Sequence, residues 1–208
     1  MERTAPTVPE SSTHIDLKLA AVGAVSGIVA AMMMDTFSRL MQGQAGGREA
    51  RGATPGRERE GRGTQPAQAE NSAEQDATVK VGTAAFRSVA GYTPGREAQQ
   101  WLGTAAHYAF SAAVGVNYLL SSERAPELRR GFGTVYGSLV WATADEGAVP
   151  AMGLSKTPDQ IPLGVHAYAL GAHWVYGATL EACRRIGASL LTAWEDSRGV
   201  IDTSAVEA

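Results

Sequence analysis

Six ionisable residues lie within or beside apolar stretches of this sequence and could do chemistry together: Asp35, His107, Asp145, Glu146, His166 and His173. Histidine changes its charge near neutral pH, and a carboxylate in a desolvated site titrates away from its usual range, so such a set can pass or sense protons. Imidazole and carboxylate also suit zinc, iron or manganese, so a bound divalent metal, and with it a metal-dependent membrane enzyme, is the alternative chemistry. A third reading is structural, with the same groups hydrogen-bonding between helices to fix the packing of a small bundle. No HExxH, CxxC, GxSxG or P-loop pattern occurs, so no catalytic residue is assigned and a non-enzymatic role without a required cofactor is expected. Ser111, Ser138 and Thr143 sit in apolar stretches too, but hydroxyls there usually bond their own backbone. A second set, Glu181 with Arg184 and Arg185, falls within about one helical turn and suits an ion pair.

The elements that must position these residues are legible in the distribution of charge. The average hydropathy of the 208 residues is that of a soluble protein, yet charges crowd Arg39 to Glu97 while Leu19–Met34, Ala98–Ser122 and Gln160–Leu180 contain no Arg, Lys, Asp or Glu. Windows of that size approach the roughly 20 residues a helix needs to cross a hydrocarbon core of about 30 Å. The fold expected is therefore all-α, an integral membrane four-helix bundle with a long disordered loop after the first span. Residues 1–16 form a polar tail without the pattern of a cleaved signal peptide, 17–41 the first span, and 42–78 the loop, which has no large aliphatic or aromatic residue to bury. An amphipathic, interfacial segment at 79–99 breaks at Thr93-Pro94-Gly95, a three-span core covers 100–186, and 187–208 is a C-terminal tail. Gly23 and Gly27, four apart in the first span, let another helix approach closely.

The remaining composition narrows the partners. A net charge of −3 argues against nucleic acid. A single cysteine, Cys183, excludes an internal disulfide and is read as a small apolar filler. The partner expected is the lipid bilayer, with a second copy or another membrane protein packing on small-residue faces, and a membrane assembly factor acting through such packing is a further alternative function. Arg124, Arg129 and Arg130 follow the second span and Arg184 and Arg185 the fourth, whereas the loop between the third and fourth holds only Lys156. Positive-inside counting then places both termini in the cytoplasm and all six ionisable residues in the outer half, drawn from four helices. On the fourth span His166, His173 and Glu181, seven and eight apart, share one face that should look inward, and Glu181 joins Arg184 and Arg185 on the cytoplasmic side. Neighbours on an α-helix lie about 100° apart. Asp145 and Glu146 therefore cannot both point the same way.

Three motifs in order carry a family resemblance: H-Y-A-F-S-A-A-V-G-V-N-Y from His107 to Tyr118, P-A-M-G-L from Pro150 to Leu154, and H-W-V-Y-G-A-T-L-E-A-C-R-R from His173 to Arg185. This resembles the YagU family of bacterial inner-membrane proteins, a family of unknown function whose pattern is close to HxxFSxxxxVxY, PxMGL and GHxVWxxxxExxRR. The likeness covers roughly residues 100 to 186 and a first span in a similar position. His107, Phe110, Ser111, Tyr118, Pro150, Met152, Gly153, Leu154, His173, Glu181, Arg184 and Arg185 match the pattern. Ala172 stands where the pattern has Gly, and Asp145 where it has His. That titratable position implies that Asp145 faces the cluster and Glu146 the outer loop or a neighbouring helix. The resemblance implies an inner-membrane location, no established reaction, and a connection to acid tolerance or envelope homeostasis.

Overall fold

Ala, Leu, Met, Gln and Glu favour helix, and the apolar stretches hold few prolines to stop one. The computed structural model describes residues 10–52 and 66–204, and side chains for residues 19–41, 77–190 and 193. Among the described residues every regular element is a helix, and there is no strand. In chain order come α1 (Glu10–Gly52), α2 (Pro66–Ala90), α3 (Arg96–Arg124) and α4 (Thr134–Val140). A π-helical segment, Trp141–Ala148, continues α4 into the single turn α5 (Val149–Ala151), and α6 (Leu163–Ser204) completes the chain.

Small residues set how the helices meet. On α1, Gly23 rests on the backbone at Gly115 and Val116 of α3, and Gly27 on that at Ser111 and Ala112. Gly133, just before α4, and Gly137 within it rest on the backbone of Gly177 and His173 of α6. A Cβ at Gly27 or Gly137 would overlap the carbonyl oxygen of Ser111 or His173, so these crossings require glycine. In both pairs the contact position falls on one helix as it rises on the other, so the helices run antiparallel. α2 folds back on α3 after Gly91, whose φ of 78° ends the helix in the left-handed cap that glycine adopts without strain.

The interior is small and partly polar. Its buried cluster combines Ala30, Ala31 and Met34 of α1 with Tyr118 and Leu119 of α3, Tyr136 of α4, and Ala172, Tyr176 and Leu180 of α6. Ser26, Ser38, Ser111, Ser122, His173 and Glu181 are buried as well. The tyrosines bring their hydroxyls to partners on other helices: Tyr136 donates to the Val114 carbonyl and Tyr176 to that of Ser111, each at 2.9 Å. Many large apolar side chains, in contrast, lie outside. Val25, Met32, Leu40, Phe110, Leu139 and Trp174 are all close to half exposed or more.

One expectation is met in part, and two meet a different structure. Of four expected spans, one helical stretch among the described residues, Leu19–Met41 of α1, is long and apolar enough to cross a membrane. The others carry histidines and carboxylates and much Gly, Ala and Ser, which dilute their hydropathy. Helix also enters the segment 42–78 expected to be disordered, because α1 continues to Gly52 and α2 starts at Pro66; residues 53–65 lie outside the described residues. Ala, Gln, Glu and Arg there are good helix formers even without a core to bury. The same reasoning covers the tail 187–208, where α6 continues to Ser204. Lastly, the third of the expected spans, the middle one of the three within 100–186, is not one regular helix. Pro150 has no amide hydrogen for the ladder, and just before it the Val149 N–H reaches back five residues to the Ala144 carbonyl.

Candidate functional site

The six ionisable residues form three imidazole–carboxylate pairs. Asp35 of α1 faces His107 of α3, Oδ1 to Nε2 at 3.8 Å, and accepts a hydrogen bond from the Tyr108 hydroxyl at 3.1 Å. In the π-helical segment, Asp145 Oδ2 lies 3.5 Å from His173 Nε2 and Glu146 Oε1 lies 2.5 Å from His166 Nδ1. Both histidines stand on the same face of α6, seven residues apart. The two neighbouring carboxylates therefore splay along one helix, Asp145 to the deeper ring and Glu146 to the one beside the turn into α6.

The second nitrogen of each α6 histidine decides what these pairs can do. His166 Nε2 is 3.0 Å from the Pro158 carbonyl, and His173 Nδ1 is 3.0 Å from the Ala169 carbonyl. A carbonyl can only accept, so each of those nitrogens carries the ring's N–H. In a neutral imidazole the other nitrogen then has a lone pair, and it faces a carboxylate that is also an acceptor. A favourable contact needs one further proton, on the ring or on the acid. The surroundings thus build a one-proton site into each pair.

Two adjoining clefts expose these pairs. One, about 480 Å³, lies between α1, α2 and α3 and is lined by Asp35, Arg39, Gln100, Thr104, His107 and Tyr108 among others. The second, about 310 Å³, has apolar walls that include Val81, Phe110, Val149 and Ile161, with Asp145, Glu146, His107 and His166 set into them. Thr78 and His107 line both. Five of the six residues thus border a cleft, and His173 is joined to them through Asp145. Each pair offers a metal two ligands, and among the described residues no three His, Cys, Asp or Glu side chains group as a metal ion requires.

Glu181 belongs to a separate centre near the middle of α6. Its fully buried carboxylate accepts from the Tyr118 hydroxyl at 2.6 Å, from Arg184 Nε and Nη2 at 2.7 and 2.9 Å, and from Arg185 Nε at 2.7 Å. These bonds to Glu181 hold the Arg184 guanidinium above its ordinary pKa. The Arg185 guanidinium lies 4.8 Å from the centre of the Phe132 ring. Acceptor capacity is filled from two helices, so the centre ties α3 to α6. Tyr118 was missed as its member, as was Tyr108 as a partner of Asp35. Each stands in the first motif, His107 to Tyr118, but a tyrosine in an apolar run gives no sign of which carboxylate its hydroxyl meets.

No match to the chain was found among curated proteins or among solved structures. Residues 52–182, more than half of the chain, match the family described as Protein of unknown function (DUF1440), and the chain belongs to that family.

Proposed function

We propose that this chain is a non-enzymatic protein of the bacterial inner membrane whose histidine–carboxylate pairs take up and release protons, contributing to acid tolerance or envelope homeostasis as the YagU resemblance implies. In this reading α1, α3, α4 with its π-helical continuation, and α6 cross the bilayer, with both termini in the cytoplasm and the pairs in the outer half. The distribution of side chains supports the membrane: glycine, serine and bonded tyrosine lie at the helix contacts, and Val25, Met32, Leu40, Leu139 and Trp174 face out. Helices packed in lipid gain little from burying apolar surface against one another, so close backbone contact and interhelical hydrogen bonds hold them together.

The observation that carries the proton reading is the pair of backbone carbonyls at Pro158 and Ala169. They fix one N–H of each ring and leave the other nitrogen aimed at a carboxylate, where a proton is held or missing according to pH. A purely structural contact would be met by an amide, which can both donate and accept. The test is acid survival of the host. Asp145→Asn combined with Glu146→Gln is expected to lower survival at normal expression; unchanged survival would remove the proposal.

A further inference from the structure

The π-helical run Trp141–Ala148 interrupts the α-helical pattern where Asp145 and Glu146 meet the rings of α6. Its effect on direction can be measured from Gly137, which rests on the His173 backbone and so marks the face of α4 turned toward α6. Each residue of an α-helix turns by about 100°. In an unbroken α-helix Asp145 would point about 80° away from that face, and Glu146 about 180°, straight away from α6. Bonding to the fifth residue instead of the fourth absorbs about one extra residue per turn. Asp145 stands about one such turn beyond Trp141, so both carboxylates are turned back by about 100°. Asp145 then lies within about 20° of the α6 face and Glu146 about 80° to its other side, and each reaches its own histidine. Pro150 accounts for where the run stops. The last bond of the run goes from the Val149 N–H to the Ala144 carbonyl, and the residue after it has no N–H to give. In an α-helical register the Pro150 ring would press on the Glu146 carbonyl four residues back, and the wider turn relieves that contact.

We infer that the π-helical turn, kept in place by Pro150, is the device that aims both carboxylates at α6, which makes Pro150 a positioning residue for the two proton sites. The proton-handling reading above supplies the function of those sites, whereas the aiming rests on helix geometry alone. A local irregularity of this kind is expected where a site requires it. The effect depends on which side of the acids the extra residue lies. Removing one residue restores an α-helical register and leaves α5 and the turn into α6 as they were. Taken out before Asp145, it leaves both carboxylates aimed at α6; taken out after Glu146, it turns both away. Ala142 and Gly147 are both small and exposed, so the two deletions differ in little else.

The experiment compares the wild type with chains lacking Ala142 or Gly147, all in nanodiscs. Geometry is read with Glu146→Cys and His166→Cys in a Cys183→Ser background, bridged by dibromobimane, which fluoresces when it joins two thiols. Bridging is expected in the undeleted chain and in the Ala142 deletion, and is expected to fall several-fold in the Gly147 deletion and in Pro150→Ala, which keeps the chain length. Chemistry is read, with the native histidines and carboxylates, as proton uptake from pH 9 to pH 5. The Ala142 deletion should match the wild type, and the Gly147 deletion should take up about two fewer protons per chain. Asp35, Lys80, His107 and Tyr108 on the packed helices are common to both deletions, so their protons cancel in the comparison. Equal bridging by the two deletions overturns the inference, as does equal uptake by them when the wild type exceeds Asp145→Asn with Glu146→Gln. Undiminished bridging in Pro150→Ala overturns the part given to Pro150. The proton reading fails separately, when the wild type takes up no more protons than that carboxamide variant; a bridging difference between the deletions then still upholds the aiming.

Discussion

Replacing Glu181 by leucine tests the packing of the bundle through its most connected buried group. The carboxylate is fully buried and accepts four hydrogen bonds. Its loss leaves the buried Tyr118 hydroxyl without an acceptor, at a cost of about 1–3 kcal/mol. Arg184 is mostly buried and loses two charged bonds, while the Arg185 side chain, 58% exposed, can return to solvent at little cost. Breaking one side of a buried charge centre costs about 3–5 kcal/mol overall, and that is the range expected for Glu181→Leu. Glu181→Gln keeps an acceptor for Tyr118 and should cost less. The assay is reversible unfolding in mixed micelles, with a double-mutant cycle against Tyr118→Phe, where a coupling of about 1 kcal/mol or more is expected. Stability of Glu181→Leu within about 0.5 kcal/mol of the wild type would refute the reasoning.

Gly27→Leu and Gly137→Leu drive a side chain into the backbone of Ser111 and His173. Each should lower the unfolding midpoint by the equivalent of at least about 1–3 kcal/mol, whereas Gly91→Ala, with open space around it, meets only the strain of a positive φ. Topology can be read by labelling single cysteines in a Cys183→Ser background. Ser155→Cys should react with an impermeant maleimide from outside intact cells and Ser121→Cys only after lysis; the reverse pattern would invert the proposed orientation.

That these imidazoles and carboxylates would meet one another was legible because the signal was chemical. Histidines and carboxylates are expensive in apolar surroundings and must find partners, so picking them out also picked out Asp35, His107, Asp145, Glu146, His166 and His173. Which carboxylate meets which ring was hidden, because an α-helical projection puts adjacent residues about 100° apart and does not foresee the π-helical turn through Asp145 and Glu146. Gly23 and Gly27 announced a close crossing. Their counterparts Gly115 and Ser111, and the matching contact of Gly133 and Gly137 with α6, needed the structure, since spacing on one helix does not name the face it meets. The helical ends around residues 42–52 and 66–78 were misread because low hydrophobicity was taken as absence of structure, although Ala, Gln and Glu stabilise helix by themselves.

The central claim is that Asp145–His173 and Glu146–His166 each hold a proton that pH can remove. Proton uptake by the purified chain in nanodiscs, titrated from pH 9 to pH 5, measures this directly. Asparagine and glutamine can donate to the ring nitrogen that the carboxylates cannot, so Asp145→Asn with Glu146→Gln satisfies both neutral rings. That variant is predicted to take up about two fewer protons per chain than the wild type. Equal uptake by the two proteins would contradict the claim.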